Sequence, residues 1–140
     1  MKKRILIVEE ERALRQFLAA AMDGDDYELV WKQTAHEALR RSLDEHFDLI
    51  LLDVNVTDMD VWKALNWFCL LRPLRPVVML TERSDQSRRA EIFGATLALE
   101  KPLNQTRVLE TLTRLLNEPH SVAPSLFTAA RDWGVYARIE

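Results

Sequence analysis

Asp48-Leu49-Ile50-Leu51-Leu52-Asp53 is the stretch that decides how this chain folds. Four consecutive bulky apolar residues between two carboxylates are too few for a helix and too uniformly apolar for a strand with one wet face. They read as a central parallel strand, 47–52, buried on both sides. Asp53 then stands where that strand ends. In open α/β sheets ligands bind beyond the carboxyl ends of the strands, so position alone makes Asp53 a candidate site residue. Its blander reading is an aspartate that opens a turn.

The same pattern recurs on either side. Arg4-Ile5-Leu6-Ile7-Val8 is a second buried strand, ending on Glu9-Glu10-Glu11. Ala13, Leu14, Phe17, Leu18 and Ala21 then recur at helical spacing until Gly24 stops the helix. A strand is predicted over 27–31. Thr34 with Glu37 forms a capping box for a helix through residue 45. Beyond Asp53, a helix is predicted over 60–71, stopped by Arg72-Pro73, and a strand over 76–80 leading into Thr81. Ser84 or Asp85 caps a helix to residue 93, with Gly94 at its stop. A short strand over 96–99 precedes Glu100-Lys101-Pro102. Asn104 caps a last helix over 105–116, whose Val108, Leu109, Leu112, Leu115 and Leu116 form a core-facing stripe. In 60–71, Trp62, Trp67 and Phe68-Cys69-Leu70-Leu71 exceed what one buried stripe needs; a thick core helix is the expected account, with an exposed Trp67 as the alternative.

Five strands alternating with five helices imply an α/β fold, doubly wound, with a parallel sheet covered by helices on both faces. In the flavodoxin-like (βα)5 order 2-1-3-4-5, the first and third strands are neighbours at the topological switch point. Residues 1–117 make the domain. Residues 118–140 are expected to form a C-terminal tail in which Ser125 caps a short helix that docks through Phe127 and Trp133, on its own domain or across a homodimer, the alternative being a frayed remnant of a linker.

Composition narrows the function classes. A net charge of −3, with no dense Lys/Arg stripe, gives no attraction to phosphate backbones, so direct nucleic-acid binding is not expected. The single cysteine, Cys69, cannot form an internal disulfide, and the apolar run after Met1-Lys2-Lys3-Arg4 is too short for a signal segment. A cytoplasmic location is expected, and no stretch is long enough to span a membrane. His36, His46 and His120 lack metal-ligand spacing and read as surface residues.

The strand ends carry the chemistry. Glu9 and Glu10 follow the first strand, Asp53 the third, Thr81 the fourth and Lys101 the fifth, all on one rim. Three carboxylates cannot share a crevice without a cation, and oxygen donors without His or Cys suit Mg2+. Lys101 and Thr81 offer a charge and a hydroxyl to an incoming anion, which suggests phosphoryl chemistry on Asp53. A flavin- or nucleotide-binding enzyme on the same fold would need a glycine- or hydroxyl-rich loop after the first strand. Glu9-Glu10-Glu11 repels phosphate there.

These stretches, with Val77-Val78-Met79-Leu80-Thr81, Gly94-Ala95 and Lys101-Pro102, resemble the receiver domain of two-component response regulators from residue 3 to about residue 117. The resemblance implies a phosphoacceptor Asp53, a metal-binding pair Glu9 and Glu10, and a metal contact from the Asn55 carbonyl. Lys101 would contact the acyl phosphate, Thr81 would move to meet it, and the bond before Pro102 would be cis. It also implies a sensor histidine kinase or phosphotransfer protein as phosphoryl donor, and a phosphoacceptor with self-catalysed turnover instead of an enzyme with a separate substrate. The downstream partner is left open. Several positions depart from the family pattern. The acidic pair is glutamate instead of aspartate, Glu82 replaces a very small residue, Thr57 and Val61 replace a proline and a glycine, and Ala98 stands in place of the switch aromatic. The alternative is therefore a pseudo-receiver, a protein-interaction module independent of phosphorylation.

Overall fold

The computed structural model describes residues 2–22 and 24–118. The tail helix expected around Phe127 and Trp133, and His120, lie outside these residues. In chain order the elements are β1 (Lys3–Val8), α1 (Arg12–Ala21), β2 (Tyr27–Lys32), α2 (Ala35–Asp44), β3 (Leu49–Asp53), α3 (Val61–Leu71), β4 (Val77–Thr81), α4 (Ser84–Ile92), β5 (Leu97–Glu100) and α5 (Gln105–Asn117). All strand pairs are parallel, in the order β2-β1-β3-β4-β5. The flavodoxin-like expectation holds.

Every residue of β3 and β4 is buried, which explains why neither shows alternation. Successive side chains point to opposite faces of a strand, so the apolar runs feed two cores at once. Ile50, Leu52, Val77 and Met79 pack with Leu65 and Phe68 of α3 and with residues of α2 and α4. Leu49, Leu51, Val78 and Leu80 pack on the other face, with Leu18 of α1 and Val108, Leu112, Leu115 and Leu116 of α5.

The helix ends follow local chemistry. The Thr34 hydroxyl accepts from the Glu37 N–H at 3.2 Å, the Asp60 carboxylate from the Trp62 N–H at 2.9 Å, and the Asn104 side chain from the Arg107 N–H at 3.0 Å. Each satisfies an orphan donor of a first turn. Gly24 and Gly94 take φ of 132° and 108° where α1 and α4 stop, a region open to glycine. The expected cap of α4 is corrected. Arg83, and neither Ser84 nor Asp85, is the N-cap, because Gln86 turns its side-chain oxygen back to the Glu82 and Arg83 N–H groups at 2.8 and 3.1 Å.

Two burial expectations also change. Leu109 is exposed, since the stripe of α5 is fully supplied by its other four apolar residues. On α3, Trp67 and Leu70 remain 44% and 48% exposed while Ala64, Leu65, Phe68 and Cys69 fill the interior, so α3 is no thick core helix. Trp62 leans on Phe93 and under the Arg89 guanidinium. Phe68→Ala should therefore cost about 3–5 kcal/mol, whereas Trp67→Ser should change stability by no more than about 0.5 kcal/mol, as read by urea denaturation.

Candidate functional site

Parallel register assembles the rim. Val8 pairs with Leu52, so Glu9 and Asp53 emerge side by side, and Asp53 pairs with Leu80, one residue before Thr81. Thr81 pairs with Glu100, and the Lys101 N–H donates to the Thr81 carbonyl at 2.8 Å. Of the predicted site residues, Asp53, Glu9 and Lys101 meet directly. Thr81 lies on the adjacent strand end, and the Lys101–Pro102 bond is cis.

Asp53 is only 1% exposed. Its Oδ1 accepts from the Asn55 N–H at 2.7 Å, and Lys101 Nζ lies 2.8 Å from Oδ2. That second contact is an ion pair. Glu9 is equally deep, at 3% exposure, with Oε1 taking the Glu11 N–H at 2.8 Å and Oε2 left without a donor. An ionised carboxylate only accepts, so two buried acceptor oxygens confront each other here. A proton on Glu9 resolves the conflict. Burial, then the hydrogen bond to Asp53, pushes the Glu9 carboxyl up from 4.5 to about 8.

Glu10 does not join them. Its Oε1 accepts from the Thr57 N–H at 2.9 Å and from the Thr57 hydroxyl at 2.7 Å, which draws the side chain toward the loop after β3. Among the described residues no three His, Cys, Asp or Glu side chains are gathered to hold a metal. The donor chemistry nevertheless suits a hard divalent cation: such an ion would satisfy the carboxylate oxygens of Glu9 and Asp53 in place of the proton.

Glu82 stands at the mouth of the site. It accepts from Asn55 Nδ2 at 2.7 Å and lies 4.0 Å from Lys101 Nζ, so it competes with Asp53 for the lysine. Ser87 is a residue that the sequence reading missed. From the first turn of α4 its Oγ lies 2.6 Å from Thr81 Oγ1. The available signal was spacing, because a helix that starts just after a strand brings its first turn back over that strand's end. Beside β5, Ala98 lines a cavity of about 440 Å³ together with Glu100, Pro102, Arg107 and Val108.

A family model, the response regulator receiver domain, matches residues 5–113. The chain belongs to the response regulator receiver domain family. Among curated relatives it is 30% identical to the transcriptional regulatory protein ZraR of Salmonella typhimurium over 90% of its own length and 29% of that protein. It is 33% identical to the KDP operon transcriptional regulatory protein KdpE of Escherichia coli, over 70% of this chain and 44% of that one. The chain thus spans less than half the length of either. Among solved structures, the chemotaxis response regulator CheY4 of Vibrio cholerae matches with a TM-score of 0.75 at 26% identity, over 82% of this chain and 99% of that one. A CheY-like receiver domain protein from Methanospirillum hungatei matches with a TM-score of 0.70 at 30% identity, over 84% and 95%. This receiver domain carries no helix among its described residues long and apolar enough to cross a membrane. His36 and His46 are exposed and bond to Asp58 and Asp48, in keeping with surface roles.

The raised Glu9 carboxyl links protonation to folding. The native state holds a proton that the unfolded chain releases near pH 4.5, so the stabilisation is complete below that pH and is lost as pH rises to about 8. In metal-free buffer, Glu9→Gln should flatten the decline of stability between pH 5 and 8, measured by denaturant titration at each pH.

Proposed function

We propose that the domain accepts a phosphoryl group on Asp53 in two-component signalling, with a sensor histidine kinase or a phosphotransfer protein as donor. The observation that carries this reading is the buried Asp53 carboxylate, presented at the strand end between the Lys101 ammonium and the Asn55 N–H. In the transfer, an Asp53 oxygen forms the new bond to phosphorus while the bond from phosphorus to the donor breaks and its electron pair leaves with the donor. Lys101, already 2.8 Å from Asp53 Oδ2, is placed to neutralise charge on the phosphoryl oxygens. The Asn55 N–H holds the acyl oxygen, and Thr81 supplies a hydroxyl from the neighbouring strand.

Glu9, Asp53 and the Asn55 carbonyl would hold Mg2+, with Glu10 joining only if it leaves Thr57. When bound, the ion supplies charge compensation to the transferring group and takes the place of the Glu9 proton. Each glutamate freezes one more rotor than an aspartate would, at about 0.5–1.5 kcal/mol per side chain. Weak metal binding follows, and Glu10→Asp should tighten it in calorimetry.

The second reading, a pseudo-receiver, draws on Glu82. Its carboxylate beside Lys101 and Asn55 puts negative charge where a phosphoryl dianion enters. Intact mass after incubation with Mg2+ and a small acyl phosphate separates the two. One phosphoryl adduct in the native chain, absent in Asp53→Asn, is the expected result. No adduct at saturating metal, or an adduct that persists in Asp53→Asn, would favour the pseudo-receiver.

A further inference from the structure

Thr81 is fully buried, and its side-chain hydroxyl bonds to Ser87. Ser87 Oγ has three oxygen neighbours: Thr81 Oγ1 at 2.6 Å, Glu100 Oε1 at 3.0 Å and the Arg83 carbonyl at 3.3 Å. A serine hydroxyl owns one proton, and a carboxylate or a carbonyl can only accept. The Ser87 proton is therefore taken by Glu100 or Arg83, and Ser87 must accept from Thr81. The chain then runs from Thr81 to Ser87 and on to Glu100 or the Arg83 carbonyl.

We propose that Ser87 is a positioning residue for the Asp53 site: oriented by Glu100 and Arg83, its oxygen holds the Thr81 hydroxyl toward α4. This rests on the reading of Asp53 as phosphoacceptor. A phosphoryl group on Asp53 brings acceptor oxygens to the rim, and Thr81 can donate to one of them only by giving up Ser87. The resting hydrogen bond is thus a cost charged against the phosphorylated state. Glu100, the exposed end of the chain, lines the cavity beside Ala98 together with Ser87.

The test uses the full chain and two variants, Ser87→Ala and Ser87→Thr. Three-bond couplings to the Thr81 methyl carbon, read by NMR without phosphoryl donor, report the Thr81 rotamer. A single rotamer is expected in the native chain and in Ser87→Thr, and averaged couplings in Ser87→Ala. The rate of adduct formation with an acyl phosphate and Mg2+ should rise about fivefold in Ser87→Ala, the weight of one ordinary hydrogen bond, and return to native in Ser87→Thr. Unchanged Thr81 couplings in Ser87→Ala overturn the proposal whatever the adduct does. Changed couplings with an unchanged rate also overturn it, since Ser87 would then serve structure alone. Should the native chain take no adduct at all, the phosphoacceptor reading fails, while the couplings still report whether Ser87 holds the Thr81 rotamer.

Discussion

A carboxylate with 1% of its surface exposed has lost its water and must be compensated by protein. Asp53 meets that demand with three neighbours drawn from three chain segments: the Lys101 ammonium, the Asn55 N–H and the Glu9 carboxyl. The sheet makes this possible. Placing β3 between β1 and β4 delivers Glu9 on one flank and Thr81 on the other, and pairing β5 with β4 brings Lys101 back across the rim. The fold and the site are in this sense one problem, because the strand order that buries the apolar runs also gathers the charges at their ends.

Much of this was legible in the sequence, for physical reasons. Runs such as Leu49 to Leu52 admit few alternatives, and caps such as Thr34 and Asn104 act within one helical turn. Asp53, Lys101 and Glu9 could be placed because a strand end is fixed by backbone geometry. What escaped depends on where a flexible side chain finds its partner. Glu10 turns to Thr57, Gln86 moves the start of α4, and Ser87 captures Thr81, none of which a period or a spacing encodes. Trp67 and Leu109 escaped differently: an apolar residue in a helix rich in them need not be buried once neighbours fill the interior.

The departures from the family pattern act on different parts of the rim. Glu82 changes the electrostatics of entry, through Lys101 and Asn55. Ala98 leaves volume beside β5, where a larger ring would stand. The longer acidic arms leave one of the pair free to bond elsewhere. Each is a local substitution on an unchanged frame, which is why the fold is shared with CheY4 and its like at modest identity.

The two carboxylates that bracket β3 have a further consequence, for how the strand knows its place. Leu49 to Leu52 can face either layer with little penalty, so unlike an alternating strand this one carries almost no internal mark against sliding by a residue. Asp48 supplies the mark at one end, taking the Arg4 N–H at 2.7 Å while its own N–H donates to the Arg4 carbonyl at 2.8 Å. Asp53 supplies it at the other, since a slip would carry its carboxylate away from Lys101. The residue proposed as phosphoacceptor is also the bookmark that keeps the sheet open at the right page.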